Sequence, residues 1–298
     1  MILLTGANGF LGRVIIRILE QECEIKKLSR NTGDYKVSLD KEIPVFTESF
    51  DLVIHSAGKA HVVPKTESER KQFYDVNVTG TVNLLNGLEK ITTPKQFVFI
   101  SSVSVYGQES GEGISEEFPL VAKDSYGISK IEAEVLVTEW CRRNSVVCTI
   151  LRLPLLVGKN PPGNLGAMIK AIEKGYYFNI NGGKARKSMV LAEDVGAFIS
   201  KVASVGGIYN LTDGVHPDFN ALSIVISNQK KKKTPLNLPL FITKLMGYAG
   251  DILGDKAPIN SSKIKKITSD LTFDDSKARE FLGWNPQSVL EYLKNNSL

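Results

Sequence analysis

The sequence predicts an α/β fold in which a parallel sheet is covered by helices on both faces. In the first half of the chain, short apolar stretches typical of strands alternate with longer stretches that have helical spacing. This alternation is typical of βαβ units. The strands are apolar at nearly every position, as in FVFI at residues 97–100, which indicates a sheet buried on both sides. A chain of 298 residues is long enough for one large domain or two lobes.

Each element of the first half can be placed from its pattern. Strands are expected where β-branched and aromatic residues cluster, at residues 2–4, 24–28, 52–55, 96–100 and 146–151. Helices are expected where apolar residues recur three or four positions apart, at residues 11–19, 69–88 and 125–141.

After Pro154 the pattern changes to loops and irregular helices. A helix is expected at residues 165–173, between loops at 158–163 and 178–184. Residues 282–284 are expected to pack a smaller C-terminal lobe. We therefore predict a first domain and a smaller lobe, the first at residues 1–160 with a return at 185–212, and the second at residues 161–184 and 213–298.

The composition excludes several classes of protein. Apolar residues make up 42% of the chain, which rules out a disordered protein. The net charge is +5, but the lysines at 230–233 supply four of these charges, so we expect no nucleic-acid partner. No secretory signal and no apolar run long enough to cross a membrane is visible. With three scattered cysteines and no metal-binding spacing, we expect a cytoplasmic chain without a metal site.

Three glycines at the start of the chain predict a dinucleotide-binding loop. Residues 5–12 read TGANGFLG, and Gly6, Gly9 and Gly12 lie between a predicted strand and a predicted helix. There the first glycine permits a tight turn, the second lets a pyrophosphate approach the backbone, and the third lets helix and strand pack closely. The helix N-terminus offers free N–H groups to the phosphates. The motif in this context predicts a Rossmann-type, doubly wound sheet that binds NAD or NADP.

The end of the second strand leaves the choice between these two cofactors open. An acidic residue at this point binds the ribose hydroxyls of NAD, whereas an arginine accommodates the 2′-phosphate of NADP. The sequence has Ser29 and Arg30 here, with Asp34 and Asp40 a little further along. Arg30 is therefore a candidate cofactor-binding residue, and both cofactors stay open.

Three residues form a candidate proton-transfer site. Tyr126 and Lys130 lie four residues apart in a predicted helix, so their side chains share one face. A nearby ammonium favours the phenolate, and we therefore expect Lys130 to lower the pKa of Tyr126. Ser102 follows a predicted strand at the edge of the sheet where parallel folds bind ligands. Its hydroxyl can donate to the same substrate oxygen.

Several segments together resemble one enzyme family. TGANGFLG, SSVSVYG (101–107), YGISK (126–130), LRLPLLVG (151–158) and LGWNP (282–286) resemble the extended short-chain dehydrogenases/reductases. Within that family the chain is most similar to nucleotide-sugar epimerases of the UDP-glucose 4-epimerase type and to bacterial reductases of UDP-4-keto-amino sugars. Sugar dehydratases of the family carry an Asp-Glu pair after the catalytic serine or threonine. Val103 and Ser104 stand there instead, so we expect no dehydration.

The resemblance implies a role for individual residues. It implies as catalytic residues Ser102, Tyr126 and Lys130, the last two of which also contact the cofactor. Further cofactor-binding residues are Gly6, Asn8, Gly9, Phe10, Leu11, Gly12, Ala57, Gly58, Lys59, Asn77 and Pro154. Substrate-binding residues are His61, Val103, Asn164, Leu165 and Lys187. At Lys187 the family usually has an arginine that grips the diphosphate, and a lysine offers a point charge rather than a bidentate fork. The resemblance also implies a homodimer through helices 69–88 and 125–141.

Three hypotheses about function follow. The first is epimerisation at carbon 4 of a UDP-hexose or UDP-N-acetylhexosamine, in which Tyr126 handles the hydroxyl proton and hydride passes to and from the nicotinamide. The second is one-way reduction of a UDP-4-keto-6-deoxy-hexosamine by NADH or NADPH, for surface polysaccharide synthesis. The third is a non-catalytic redox sensor that keeps the dinucleotide fold. Because such proteins typically lose the catalytic tyrosine or lysine, Tyr126 and Lys130 argue against it.

An apolar stripe near the C-terminus has two interpretations. It follows the four lysines at 230–233 and comprises Phe241, Ile242, Leu245, Met246, Ala249, Ile252 and Leu253. A helix with such a stripe can lie on an anionic membrane surface. More often a stripe of this kind forms a core or a subunit contact, which is what we expect here. His55 follows a buried strand and is expected to be a packed residue.

Overall fold

The computed structural model describes residues 1–60, 62–253 and 260–296. In these residues strands and helices largely alternate along the chain. The strands are β1 (Ile2–Thr5), β2 (Ile25–Ser29), β3 (Tyr35–Lys36), β4 (Leu52–His55), β5 (Gln96–Ser102), β6 (Gly111–Ile114), β7 (Val147–Leu153), β8 (Leu155–Val157), β9 (Phe178–Ile180), β10 (Met189–Leu191), β11 (Gly207–Asn210), β12 (Leu236–Leu238) and β13 (Leu271–Phe273). The helices are α1 (Phe10–Leu19), α2 (Glu67–Tyr74), α3 (Gly80–Leu88), α4 (Ser125–Arg143), α5 (Gly163–Glu173), α6 (Ala192–Ala203), α7 (Phe219–Gln229), α8 (Leu240–Leu253), α9 (Ser261–Thr268), α10 (Ser276–Leu282) and α11 (Val289–Asn295).

Seven strands form one sheet in the order β3-β2-β1-β4-β5-β7-β11, and every neighbouring pair is parallel. One face packs on α1 and α6 through residues such as Ile15 and Ile199, and the other on α3 and α4 through Leu84 and Trp140. This is the predicted doubly wound α/β fold of Rossmann type. The strand order reverses between β1 and β4, and ligands bind at the carboxyl ends of strands at such a switch point.

A second apolar core lies outside the main sheet. It joins α5, α7 and α11 to β8 and β10 through residues such as Leu165, Met189, Leu222 and Val289. Three two-stranded parallel ladders lie outside the main sheet, namely β8–β10, which belongs to this core, β9–β12, and β6–β13, which packs in a separate cluster with Val105 and Tyr106. The prediction of a loop at 178–184 was wrong, because residues 178–180 pair with β12 and a 3₁₀ turn follows at Asn181–Gly183.

Two further expectations were wrong, one about the helix at 69–88 and one about the packing of residues 282–284. The helix expected at 69–88 is two α-helices joined by a π-helical turn at Asp75–Thr79. Trp284 packs against Phe198 with ring centroids 4.7 Å apart and belongs to the core beneath the main sheet, not to that of the small lobe. Its indole N–H donates to the Thr212 carbonyl oxygen at 2.9 Å. The segment around Trp284 therefore packs beneath the main sheet, although α11 after it packs in the second core.

The apolar stripe at 241–253 does not form a core. Phe241, Leu245 and Ile252 are exposed on α8, while the side chains of Met246 and Leu253 lie outside the described part of the chain. Among the described residues, no helix is long and apolar enough to cross a membrane.

A buried ion pair ties α4 to the centre of the sheet. The guanidinium of Arg152 on β7 donates to both carboxylate oxygens of Glu134 at 2.8 and 3.1 Å, and both side chains are at most 5% exposed. The Ser101 hydroxyl donates to the same carboxylate at 2.5 Å, and Arg152 also donates to the Tyr106 hydroxyl at 3.1 Å. A buried pair with this many partners fixes the position of α4 relative to β5 and β7.

We expect Glu134→Ala to lower the free energy of unfolding by about 3–5 kcal/mol, because it leaves the Arg152 charge buried without a partner. Urea unfolding measures the loss. The matched control is Glu139→Ala on the same helix, whose pair with Arg142 is exposed to solvent and should contribute little to stability. Equal losses in the two variants would contradict this prediction.

Candidate active site

Ser102 and Tyr126 meet at the carboxyl end of β5. Ser102 is the last residue of that strand, and Tyr126 lies in the first turn of α4, whose N-terminus is capped by the side chain of Asp124. The Ser102 hydroxyl accepts the Ser104 N–H at 3.2 Å, donates to the Ser104 hydroxyl at 3.1 Å, and lies close enough to the Tyr126 phenol to lower the pKa of that group. The two hydroxyl groups therefore share one site, where both can reach a single substrate oxygen.

Lys130 lies beneath this pair. Its ammonium donates to the Ile100 carbonyl oxygen at 2.7 Å and lies 4.5 Å from the ring centre of Phe99. Burial lowers the pKa of Lys130 to about 8, although the charge of Glu134 acts in the opposite direction. An ammonium has three donors, so its remaining N–H groups can bind the hydroxyls of a ligand that covers it.

The expected effect of Lys130 on Tyr126 was wrong for this structure. Burial raises the pKa of Tyr126, the hydrogen bond from Ser102 lowers it, and the charge of Asp124 raises it further. The ammonium of Lys130 is directed at the end of β5 instead of the phenol. Tyr126 is therefore a protonated donor in this arrangement, and ionisation needs a positive charge supplied beside it.

Asn77 connects the loop after β4 to the catalytic helix. Its amide oxygen accepts the Lys59 N–H at 2.7 Å, and its amide nitrogen donates to the Lys59 carbonyl and, at 2.8 Å, to the Ser129 hydroxyl. Ser129 in turn donates to the Tyr126 carbonyl at 2.8 Å. The π-helical turn places Asn77 here, and a π-turn within a helix is frequent at functional sites.

His55 is packed as expected, and it also extends this network. Its Nδ1 lies 2.7 Å from the Thr5 hydroxyl and its Nε2 lies 2.9 Å from the Thr81 hydroxyl. Thr81 donates its own proton to the Asn77 carbonyl at 2.6 Å, so Nε2 of His55 must carry the hydrogen and Nδ1 accepts from Thr5. Burial and the charge of Lys130 lower the pKa of His55 to about 3, which keeps the ring neutral.

The glycine loop has the geometry that a dinucleotide requires. Gly6 has φ +70°, and a Cβ there would lie 2.6 Å from the Ala57 nitrogen. A Cβ on Gly12 would lie 2.2 Å from the Gly6 oxygen. No side chain caps the N-terminus of α1 at Gly9, so the first amides of the helix are open to an anion. The loop therefore fits the pyrophosphate of NAD or NADP.

A second close approach joins the cofactor loop to the catalytic helix. A Cβ on Gly58 would lie 3.2 Å from the Asn77 amide oxygen and 3.5 Å from the Lys130 ammonium. Lys59 directs its ammonium to the Gln72 amide oxygen and lies 5.5 Å from the ring centre of Phe73. Gly58 thus lies beside the candidate catalytic residues, and the predicted cofactor contact of residues 57–59 stays a prediction.

The end of β2 is polar and not acidic. The amide of Asn8 donates to the hydroxyls of Ser29 and Thr32 at 3.0 and 2.7 Å, so Asn8 orders this turn. The carboxylate of Asp34 accepts the Lys27 N–H at 2.8 Å, and that of Asp40 accepts the Ser38 hydroxyl. Arg30 is exposed and has no ion-pair partner among the described residues.

Three of the predicted substrate-binding residues differ in how accessible their side chains are. Asn164 is exposed in the first turn of α5, but the side chain of Leu165 is buried in the core of the small lobe. Lys187 donates to the carbonyl oxygens of Lys266 and Ser269, both at 2.9 Å, and burial lowers its pKa. Its ammonium thus caps the end of α9 and does not point to an open site.

Three predicted site residues remain, namely Val103, Pro154 and His61. Val103 begins a 3₁₀ turn directly after Ser102, and Pro154 follows Leu153, the strand partner of Ser102. Both therefore lie beside the candidate catalytic residues. His61 lies outside the described residues. Within the described part of the chain, no group of acidic, histidine and cysteine side chains is arranged to hold a metal ion.

Sequence reasoning missed the supporting residues of this site. Thr5, Thr81, Ser129 and Glu134 carry the hydrogen bonds that hold the catalytic helix, yet each is an ordinary polar residue in an apolar stretch. The signal that could have found them is a polar side chain at a position that the strand or helix pattern buries, because such a group needs a partner.

The fold and the glycine loop define the class of dinucleotide-binding α/β enzymes. The family described as "NAD dependent epimerase/dehydratase family" matches residues 2–211. The chain belongs to this family.

Several known proteins similar to the chain are named as 4-epimerases. A relative from Escherichia coli O157:H7, named N-acetyl-α-D-glucosaminyl-diphospho-ditrans,octacis-undecaprenol 4-epimerase, is 29% identical and covers 93% of this chain and 88% of its own. A UDP-glucose 4-epimerase from Vibrio cholerae is 27% identical, with 97% and 92% covered. The crystal structure of a UDP-glucose 4-epimerase from Thermotoga maritima with UDP-glucose shares the fold, with a TM-score of 0.74, 21% identity, and 98% and 96% covered.

The depressed pKa of His55 predicts a pH dependence of stability. The unfolded ring titrates near pH 6.5 and the folded ring near 3, so between these values the unfolded state binds more protons and stability falls as the pH falls. We expect the histidine to cost about 2 kcal/mol at pH 5 relative to pH 7.

The measurement compares wild type with His55→Gln by urea unfolding at both pH values. The variant should be less stable at pH 7, because Thr5 and Thr81 lose a partner, and should lose about 2 kcal/mol less on acidification. Since the carboxylates titrate in both proteins, they cancel in this difference. An identical loss in the two proteins would rule out a buried neutral histidine.

Proposed function

We propose that the chain is an NAD(P)-dependent 4-epimerase of a UDP-hexose or UDP-N-acetylhexosamine. A bound nicotinamide supplies a hydride acceptor and donor for carbon 4. Tyr126, as the phenolate that the positive charge of an oxidised nicotinamide would favour, takes the proton of the 4-hydroxyl during oxidation and returns it during reduction, while Ser102 hydrogen-bonds the same oxygen. Lys130 holds the ligand beside them with its remaining N–H groups.

The observation that carries this proposal is the placement of Ser102, the last residue of β5, and Tyr126, in the first turn of α4, beside each other and beside the loop of Gly58, which approaches the Lys130 ammonium. This arrangement suits a reaction in which one oxygen alternates between hydroxyl and carbonyl. The full-length similarity to two proteins named as 4-epimerases supports the choice of carbon 4.

A second candidate is one-way reduction of a UDP-4-keto-6-deoxy-hexosamine by NADPH or NADH. The observation that favours it is the end of β2, where Arg30 is exposed and both nearby carboxylates have partners. This arrangement suits the 2′-phosphate of NADP, and NADPH serves reductases.

We also propose how the molecule is organised. Residues 1–160 and 185–212 would form the cofactor-binding domain, and residues 161–184 and 213–298 the substrate-binding lobe, in line with the separate core around α5, α7 and α11. Exposed apolar residues on α2 and α4, namely Tyr74, Ile128 and Val135, support a homodimer through these helices. The free thiols of Cys23, Cys141 and Cys148 support a cytoplasmic location.

Epimerisation can be tested without added cofactor. The purified chain is incubated with UDP-glucose, with UDP-N-acetylglucosamine and with N-acetylglucosaminyl-diphospho-undecaprenol, the last because one relative is named for it. We expect interconversion of one of these substrates with its 4-epimer, supported by dinucleotide retained during purification. Turnover that requires a 4-keto substrate and added NADPH would replace the epimerase with the reductase.

In the same assay, Tyr126→Phe should lower kcat by about 10²–10⁴-fold, because it removes the group that carries the proton. The amount of dinucleotide released on denaturation should not change. Tyr74→Phe, at an exposed tyrosine on α2, is the matched control and should keep full activity. If Tyr126→Phe changed no measurable output, the redox-sensor hypothesis would take the place of both enzymes.

Arg30→Glu tests the choice of cofactor. If Arg30 binds the 2′-phosphate of NADP, the loss of this charge-assisted contact should weaken NADPH binding about 10–100-fold and leave NADH binding almost unchanged. Fluorescence titration of both nucleotides gives the ratio, with Lys36→Glu, also exposed at that end of the sheet, as the control. An unchanged ratio would mean that Arg30 does not contact the cofactor.

A further inference from the structure

The apolar face of α8 points away from the protein. Phe241, Leu245, Tyr248 and Ile252 are 66%, 66%, 63% and 87% exposed. Their spacing of four, three and four residues places them in one stripe along the helix. Monomeric proteins rarely expose a contiguous apolar surface of this kind without an interaction that uses it. We call these four residues the α8 stripe.

The opposite face of α8 contacts the chain, and three small residues of that face are among those whose side chains the structure describes. Thr243, Gly247 and Gly250 are buried. A Cβ on Gly247 would lie 2.6 Å from Cδ1 of Ile264 on α9, so the two helices approach closely at this glycine. Among the residues whose side chains are described, small residues of α8 are therefore buried while the four apolar residues of the α8 stripe face outward, whereas an ordinary amphipathic surface helix buries its large apolar residues.

Positive charge surrounds the stripe. Residues 230–268 contain nine lysines, no arginine and two aspartates, which gives a net charge of +7. Because the whole chain has a net charge of +5, the rest of the molecule has a net charge of −2. Lys231, Lys232 and Lys233 are exposed shortly before α8, and Lys244 is exposed beside the stripe. The basic character of the protein is thus confined to the segment that carries the exposed apolar face.

From this combination we propose that the α8 stripe docks the protein on a membrane surface rich in anionic lipid. The stripe enters the boundary between headgroups and acyl chains, with Tyr248 suited to the interface because its ring is apolar and its hydroxyl polar. The lysines bind the anionic headgroups, each worth about a fivefold gain in partitioning. A peripheral contact of this kind requires no membrane-spanning helix.

Charge argues against a second copy of the chain as the occupant. In a twofold contact the same surface meets itself, so the exposed lysines of the two copies, at 231–233 and 244, would lie on facing surfaces, and like charges across an interface are strongly unfavourable. The exposed apolar residues of α2 and α4 offer a separate surface for a homodimer without this repulsion.

The docking surface belongs to the lobe that we assign to the substrate. β12, which directly precedes α8, pairs with β9, and Lys187 holds the carbonyl oxygens of Lys266 and Ser269 at the end of α9. Docking would therefore hold this lobe against the membrane. The inference rests on α8 and its surroundings and does not depend on the proposed activity.

Vesicle flotation with the purified full chain tests the proposal. We expect the protein to float with vesicles that contain about one third phosphatidylglycerol in phosphatidylcholine, and not with phosphatidylcholine alone. Raising the salt from about 0.1 M to about 0.5 M should weaken the binding, because the lysine contacts are screened. No binding to the anionic vesicles, or equal binding to both kinds, would overturn the proposal whatever the variants do.

Two variants separate the apolar and the charged contributions. The double variant Phe241→Ser, Leu245→Ser should lower the partition coefficient at least about tenfold, as should Lys232→Glu, Lys233→Glu. The matched controls are Phe281→Ser, at a side chain 73% exposed on α10, and Lys90→Glu, at an exposed lysine after α3, and both should bind like wild type.

The outcomes distinguish this inference from its rivals. Unchanged binding by the Phe241→Ser, Leu245→Ser variant overturns it. So does a wild-type oligomer, measured by light scattering, that dissociates in that variant, because the stripe would then be a contact between copies. Since none of these positions lies in the candidate active site, all variants should keep wild-type activity on water-soluble UDP-sugars. A lack of turnover in every protein would contradict the proposed function and leave the vesicle result intact.

Discussion

A continuous chain of hydrogen bonds through Asn77 holds the two halves of the candidate active site together. On one side it runs through Thr81 and His55 to Thr5, at the end of the strand that leads into the glycine loop. On the other side it runs through Ser129 to the backbone of Tyr126. The cofactor loop and the proton-transferring residue come from different parts of the sequence, and this buried network fixes their separation. Because every member has a partner, the network adds rigidity and avoids the cost of an unpaired buried polar group.

The buried charged groups beneath the candidate active site also have partners. Lys130 is buried with a carbonyl oxygen and the face of Phe99 as its partners, which lowers its pKa and leaves donors for a ligand. One helical turn further on, Glu134 is paired with Arg152. Its charge therefore supports the ammonium of Lys130 without binding it directly. Tyr126 keeps its proton in this surrounding, so a full positive charge at the site, as on an oxidised nicotinamide, is what would favour its ionisation.

The C-terminal part of the chain serves both halves of the molecule. Trp284 fills the core beneath the main sheet, whereas α11 packs the core of the small lobe. Earlier in the chain, α8 and α9 form a pair that comes into close contact at Gly247. The residues of the α8 stripe and the exposed lysines near it are thus available to contact an external surface. Stability of the fold and attachment to a surface are carried by opposite faces of one helix.

The sequence by itself determined the parallel sheet, the glycine loop and the pairing of Tyr126 with Lys130 on one helical face, because these depend on local spacing and on the direction of strands. It located the serine, since parallel strands end at the same edge of a sheet. It could not determine the π-helical turn that places Asn77, because one extra residue in a helical turn leaves the apolar pattern almost unchanged.

Only the tertiary structure decided which polar groups are satisfied and which apolar groups are covered. Lys187 looks like a diphosphate contact in sequence, but in the fold it caps α9. In the sequence the apolar residues of α8 resemble a core face. In the structure the α8 stripe is exposed, and Gly247 on the opposite side of the helix lies against α9. Periodicity shows which residues share a face, and only the arrangement of neighbouring elements determines whether that face meets protein or solvent.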